Sequence, residues 1–277
     1  MVKQGMRVAA SMTLPLVCVS LRGNSIEDIV RDANRATAAN ADLVEVRFDN
    51  LYITRIKQNP ITTVNKDGDE VIRKEPDILE PKAVEDIDVE ASIAYLKNGI
   101  QKDVIFTCRS QDEDGHYPGD EKSRAAVLIQ AIESGVSWVD LEVSMDASLR
   151  EDLRKACGDK TQIIASVHAR IVPTTEEIIA FVEENTDAGT IIKGCWRTGG
   201  HSASLNILEA SEVLAEGDFQ ISLMGDGPGG DWARIHAPPL NQSLVYTTLD
   251  RDHSLFSQGR ININDLKAAW ELLDYKE

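Results

Sequence analysis

Cysteine is scarce, and the four present (Cys18, Cys108, Cys157 and Cys195) form no CxxC pair. Three of them lie in apolar, strand-like runs, the setting of buried reduced thiols rather than of a disulfide framework. Histidine is equally sparse. The five are scattered without HExxH or Cys/His spacing, so no metal-site signature is present. No apolar run approaches the ~20 residues of a membrane span. The apolar patch near the N-terminus carries Thr13 and Pro15 and lacks a signal-peptide layout, so a cytoplasmic chain is expected. There is no P-loop, and no GxGxxG follows the first strand, which argues against nucleotide binding. Positive charge is also short: 29 Lys and Arg against 46 Asp and Glu give a formal net charge of −17. Such a surface repels nucleic acid and anionic membranes. An anionic small molecule would need a local basic pocket that overrides this field.

What the chain does have is a regular alternation. Apolar runs rich in Val and Ile fall at 14–21, 42–48, 103–109, 138–143, 161–168, 190–196, 219–224 and 244–249. Amphipathic stretches fill the intervals at 25–39, 89–99, 120–134, 146–157, 174–186, 202–216, a less regular 228–242, and 262–275. Asn24-Ser25 with Asp28, and Pro173-Thr174-Thr175-Glu176-Glu177, are helix-start patterns. Gly135, Gly158, Gly189 and Gly217 stand where helices should close. Eight β/α units in one chain of 277 residues predict a single α/β domain over 1–277, a (β/α)8 TIM barrel. An open, doubly wound sheet is the competing reading. Residues 3–12 fit a small hairpin or plug at the barrel bottom. The polar stretch 52–88 reads as an inserted loop after strand 2, with a hairpin pairing Ile61–Val64 with Glu70–Arg73.

In a TIM barrel the chemistry gathers at the C-terminal ends of the strands. Strand side chains alternate, so residues of one parity share a face. In the second strand Val44, Val46 and Phe48 form the apolar set, which sends Glu45, Arg47 and Asp49 inward. The third pairs Thr107 with Arg109 on the inner parity, with Glu113 just beyond. The fourth offers Asp140, Glu142 and Ser144, and the fifth Ser166 and His168. An interior guanidinium or carboxylate needs a partner or a purpose, and a structural ion pair remains an alternative. The sharpest signal is Lys193, which interrupts the apolar run Thr190-Ile191-Ile192-Lys193-Gly194-Cys195-Trp196. Burial and nearby cations push a lysine toward its neutral form, and a neutral amine attacks a ketone to give an imine. Taken alone, Lys193 could instead snorkel out of the barrel end, and His168 alone could be structural.

Together these residues resemble the type I 3-dehydroquinate dehydratase family, Schiff-base enzymes of the shikimate pathway of aromatic amino-acid biosynthesis. The carriers are Glu45-Val46-Arg47, Thr107-Cys108-Arg109-Ser110 with Glu113, and Asp140-Leu141-Glu142-Val143. Ile163-Ile164-Ala165-Ser166-Val167-His168, Lys193, Met224-Gly225, Arg234 and Gly259-Arg260-Ile261-Asn262 follow in the family's order. The resemblance implies a lyase that needs no metal or cofactor and whose partners are a small-molecule substrate and a second copy of itself. Lys193 would form the imine and His168 would be general base and acid. Glu45, Arg47 and Arg109 would contact substrate hydroxyls, Arg234 would take the substrate carboxylate, and Glu113 would position Arg109 or His168; Arg260, which departs from the family's pattern, could add a second cation at the substrate.

The pattern departs from the family in four places. Val167 and Ala169 flank the histidine where polar residues are usual. Phe256 and Arg260 align with a serine and a glutamine of the closing loop, where Ser254 or Ser257 could replace the serine. Arg260 could repel a protonated Schiff base, so turnover below the family's ordinary level is expected. Two rivals stay open at this point. One is a class I aldolase, which would use Gly225–Gly230 as a phosphate loop. The other is a weakened homologue that binds a small anionic ligand.

Overall fold

The computed structural model describes residues 14–64, 66, 68–73, 75, 77–250 and 258–275. The expected plug at 3–12, and Ser254, Phe256 and Ser257, lie outside that set. The barrel strands are β1 (Leu16–Leu21), β2 (Leu43–Arg47), β7 (Asp103–Thr107), β8 (Trp138–Glu142), β9 (Gln162–Ala169), β10 (Ile191–Arg197), β11 (Ile221–Asp226) and β12 (Leu244–Thr247). All seven neighbouring pairs are parallel, in the order β11-β10-β9-β8-β7-β2-β1-β12. The ends meet at β11 and β12, where the Ser243 N–H donates to Ile221 O at 2.8 Å and Ser222 Oγ donates to Leu244 O at 2.7 Å. The result is a nearly closed (β/α)8 barrel, as expected, and not an open sheet.

The helices are α1 (Ile26–Ala38), α2 (Val89–Gly99), α3 (Glu121–Ser134), α4 (Ala147–Cys157), α5 (Thr175–Glu184), α6 (His201–Leu214), α7 (Gly230–Ile235) and α8 (Ile263–Leu272). Ser25 caps α1 by accepting from the Asp28 N–H, and Thr174 with Glu177 forms a reciprocal capping box on α5. Gly135 ends α3 in the left-handed conformation (φ 90°) that its missing Cβ permits. Gly158 is likewise a helix cap. Gly189 and Gly217 are not: Asn185 caps α5 and Ala215 caps α6, so both glycines sit in the turns that follow.

Strand parity sorts the core into two shells. Val44, Val46, Phe106, Val139, Leu141, Ala165, Ile192 and Trp196 face outward and are buried under the helices. Each fully buried aliphatic side chain of this kind contributes roughly 1.5–3 kcal/mol. Inside, Cys18, Leu43, Ile105, Ile164, Ile191 and Leu244 form an apolar floor. Above it on the same parity stand Ser20, Glu45, Thr107, Ser166 and Lys193, a polar layer toward the strands' C-terminal ends.

The insertion after β2 is built from two antiparallel ribbons. β4 (Ile61–Val64) pairs with β5 (Glu70–Arg73), the expected hairpin. β3 (Ile53–Ile56) also pairs with β6 (Ile78–Pro81), and Arg55 forms an ion pair with Asp77 at 3.5 Å.

Candidate active site

β9 and β10 lie side by side, with Lys193 opposite Ser166 and Cys195 opposite His168. Lys193 and His168 are therefore two residues apart in register on one inner face. Gly194 between them and the outer shell is required locally, because a Cβ there would collide with the Trp196 ring. Both residues line a cavity of about 300 Å³ at the C-terminal end of the barrel.

Lys193 points inward and is 3% exposed. Its Nζ donates to Asp140 at 3.0 Å and lies 3.7 Å from Glu45. It also sits 4.2 Å from the centre of the Tyr246 ring. The charges nearest the amine are thus carboxylates, not the cations expected from the sequence. Glu45 in turn accepts from Ser20 and, at 3.1 Å, from Thr107. Burial alone would raise the Asp140 carboxyl, but the Arg109 guanidinium and Lys193 ammonium outweigh it and hold it well below the usual carboxylate range.

His168 is oriented by Glu113, whose Oε2 accepts the His168 backbone N–H at 2.8 Å and lies 3.2 Å from Nδ1. Ser144 fixes the other oxygen at 2.6 Å. An ionised carboxylate only accepts, so this contact puts the ring proton on Nδ1 and leaves Nε2 bare. Burial, reinforced by Arg109 and Lys193, pushes the imidazole's pKa well below the ordinary histidine value. The neutral ring is the form a general base needs.

That shift has a sign for stability. The unfolded chain takes up a proton at His168 below about pH 6.5, whereas the folded chain resists it, so stability falls as pH drops. Burial raises the Glu113 carboxyl, which works in the opposite direction. The comparison that isolates His168 is therefore with His168→Gln. Between about pH 7.5 and about pH 5 the natural chain is expected to lose up to about 2 kcal/mol more unfolding free energy than the variant. Parallel urea curves that show no such difference would refute the neutral-histidine assignment.

Arg109 is 2% exposed and does not line the cavity. It pairs with Asp140 at 2.9 Å and Glu142 at 3.2 Å, bonds Ser166 at 2.9 Å, and approaches Glu113 at 3.7 Å. The expected contact with substrate hydroxyls is therefore not what its placement offers. It lies behind the cavity wall, because the inward carboxylates of β8 capture its guanidinium. Arg109→Leu leaves those buried charges uncompensated and is expected to cost about 3–5 kcal/mol in urea unfolding, with little recovery in Arg109→Lys.

Arg47 lines the cavity and is clamped by Asp49 through two bonds of 2.9 and 2.8 Å. Asp49 also accepts the Arg109 and His116 backbone N–H groups. Arg234 is held by carbonyls: Nε donates to Tyr246 O at 3.1 Å, and Nη1 to Gly225 O and Gly230 O at 2.6 Å each and to Gly259 O at 3.1 Å. Among the described residues it makes no ion pair, so its charge is left for an anion. Burial lowers its pKa accordingly. The amides of Gly227 and Gly230 are already bonded to Gln258 O and Gly227 O. The glycine-rich turn thus spends two of the N–H groups that a phosphate loop would offer, and it serves as the turn before α7. Arg260 also lines the cavity, but Asp226 binds it through bonds of 3.0 and 2.9 Å. The free second cation expected from the sequence is a neutralised pair. Seven cationic side chains line the cavity (six arginines and Lys193) against four carboxylates (Glu45, Glu113, Asp114 and Asp226), but Asp49, Asp77 and Asp140 behind the lining pair with Arg47, Arg55 and Lys193, so the positive charge offered to an anion is concentrated at Arg234 and is not a field of the whole cavity.

Sequence reasoning assigned no role to Asp140, although its parity with Glu142 marked it as inward. It also passed over Ser20 and Tyr246, which carry no charge to betray them.

A family model described as type I 3-dehydroquinase matches residues 17–277. This chain belongs to the type I 3-dehydroquinase family. The 3-dehydroquinate dehydratase of Methanocaldococcus jannaschii is 25% identical over 263 residues, covering 94% of this chain and all of the relative. That of Methanothermobacter thermautotrophicus is 27% identical over 236 residues, 85% of this chain and 88% of the relative. Among solved structures, the type I enzyme of Clostridium difficile, crystallised with covalently modified comenic acid, aligns with a TM-score of 0.76 at 20% identity over 94% of this chain and 93% of its own. That of Geobacillus kaustophilus gives 0.75, also at 20% identity, over 96% and 93%. At that identity the structures speak for the fold, and the family match carries the membership.

Proposed function

We propose that this chain is a hydro-lyase converting 3-dehydroquinate to 3-dehydroshikimate and water through an imine on Lys193. The observation that carries the reading is a buried amine and a base-competent imidazole facing one cavity, on adjacent strands of a barrel whose family acts on this substrate class.

The reaction balances with these groups alone. His168 takes a proton from Nζ, and the freed amine adds to the substrate ketone. The protonated His168 returns that proton to the carbinolamine hydroxyl, which leaves as water and gives a protonated imine that draws electrons from the neighbouring carbon, with the imidazole neutral again. Nε2 of His168 then removes the adjacent C–H proton, leaving an enamine. The same imidazole, now protonated, delivers that proton to the departing hydroxyl, which leaves as water. A further water hydrolyses the imine and restores the amine. Arg234 makes no ion pair among the described residues, and with Nε and Nη1 held by carbonyls it offers Nη2 to the substrate carboxylate. Glu45 and Arg47 meet the substrate hydroxyls. Arg109 serves as a positioning residue that fixes Asp140 and Glu142.

Borohydride reduction in the presence of 3-dehydroquinate tests the reading. A substrate-sized mass increase on Lys193, together with dehydration in solution, is expected. No adduct and no turnover would favour the ligand-binding homologue, and aldol cleavage would favour the aldolase. Val167 and Ala169 leave His168 without its usual polar flanks, so a kcat/KM below the family's ordinary range is expected in steady-state assays. With the reading go a single domain over 1–277, a cytoplasmic location and a homodimer. No helix among the described residues is long and apolar enough to cross a membrane.

A further inference from the structure

Tyr246 is a residue the reaction scheme above does not use. It stands on the inner face of β12, opposite Cys18 of β1, and is 7% exposed. Its ring lines the cavity, and Lys193 Nζ lies 4.2 Å from the ring centre. Its backbone carbonyl accepts from Arg234 Nε at 3.1 Å. Its hydroxyl is buried with no hydrogen-bond partner among the described residues. The phenol oxygen is therefore not what ties this residue to its surroundings. The ring face and the main chain are.

The ring's role follows from what happens to Nζ. As an ammonium it carries three N–H donors, and Asp140 and Glu45 are the acceptors nearest to it. Once it has condensed with a ketone it keeps a single N–H, so contacts that depend on aimed donors are mostly surrendered. The positive charge stays. A π face attracts a cation through its quadrupole and demands no particular N–H direction. Tyr246 is thus a contact partner that, unlike the hydrogen bond to Asp140, keeps its hold on the nitrogen without an aimed N–H, adding to the Coulombic pull of the two carboxylates on the protonated imine.

We propose that the face of Tyr246 is the cation seat of Lys193, holding the amine before condensation and stabilising the protonated imine afterwards. Through its carbonyl the same residue sets the position of Arg234, so one side of β12 fixes the spacing between the imine nitrogen and the carboxylate-binding guanidinium. The proposal rests on the dehydratase reading and deepens it.

Fluorination tests it without changing shape, because fluorine drains the ring face of its negative potential. Tyr246→Phe serves as the reference, and a trifluorinated phenylalanine at the same position is compared with it. Thermal unfolding of both establishes that they fold alike. The readout is the rate at which borohydride and 3-dehydroquinate give the Lys193 adduct. The fluorinated chain is expected to form adduct about tenfold more slowly than the Phe chain. Equal rates would overturn the proposal, as would a Phe chain that forms no adduct, since the hydroxyl would then be the working group. The natural chain, run alongside, separates the two levels: no adduct there sinks the dehydratase reading itself, whereas a natural adduct with no fluorine effect sinks only the seat.

Discussion

Lys193→Ala is expected to abolish the borohydride adduct and to lower kcat by on the order of 10⁵-fold, the scale of effective molarity lost when a covalent partner is removed. The collapse should be chemical and not structural. Asp140 keeps its 2.9 Å pair with Arg109, and Glu45 keeps its bonds from Ser20 and Thr107. Neither carboxylate is orphaned, so the variant should fold and still bind substrate through Arg234 and Arg47. Binding of 3-dehydroquinate measured by calorimetry alongside activity makes the distinction. Residual turnover within about a hundredfold of the natural chain, at unchanged affinity, would mean that the amine is not the nucleophile.

Why Lys193 was legible and Arg109 was not comes down to what strand parity encodes. Parity is local, so an apolar run broken by a lysine declares an inward amine without any knowledge of its neighbours. It declared Glu45, Thr107, Asp140, Ser166 and His168 inward in the same way, and the inner face of the barrel bears this out. Parity does not say where a long side chain goes once inside. Arg109 turns toward Asp140, Glu142 and Ser166 because β8 and β9 present them at that height. That relation depends on the register between strands and not on any one strand. The bidentate pair of Arg260 with Asp226 spans 34 residues, and the carbonyl cradle of Arg234 is drawn from three separate glycines. Backbone carbonyls leave no trace in a residue pattern. The β3–β6 ribbon was missed for a related reason: its strands are short and flank a second hairpin, so neither has a turn beside it to announce the pairing.

His168→Ala separates the two halves of the mechanism and is expected to do so visibly. The imine needs only the amine and the ketone, and solvent can carry the protons of condensation slowly. The adduct on Lys193 should therefore survive and accumulate during turnover. What fails is removal of the C–H proton and delivery of that proton to the leaving hydroxyl, which both run through Nε2. General acid–base catalysis is worth roughly 10²–10⁴-fold per transfer, and one imidazole serves both, so a loss near the upper end of that range is expected in kcat. Glu113 would lose the ring but keep Ser144 and the backbone N–H of residue 168, so the cavity wall should hold its shape. Deuterium at the carbon that loses its proton gives a second reading: the isotope effect on kcat should rise in the variant, as proton abstraction becomes the slowest step. Loss of the adduct in this variant would instead make His168 a requirement for imine formation, and a kcat within about tenfold of the natural value would remove it from the proton path altogether.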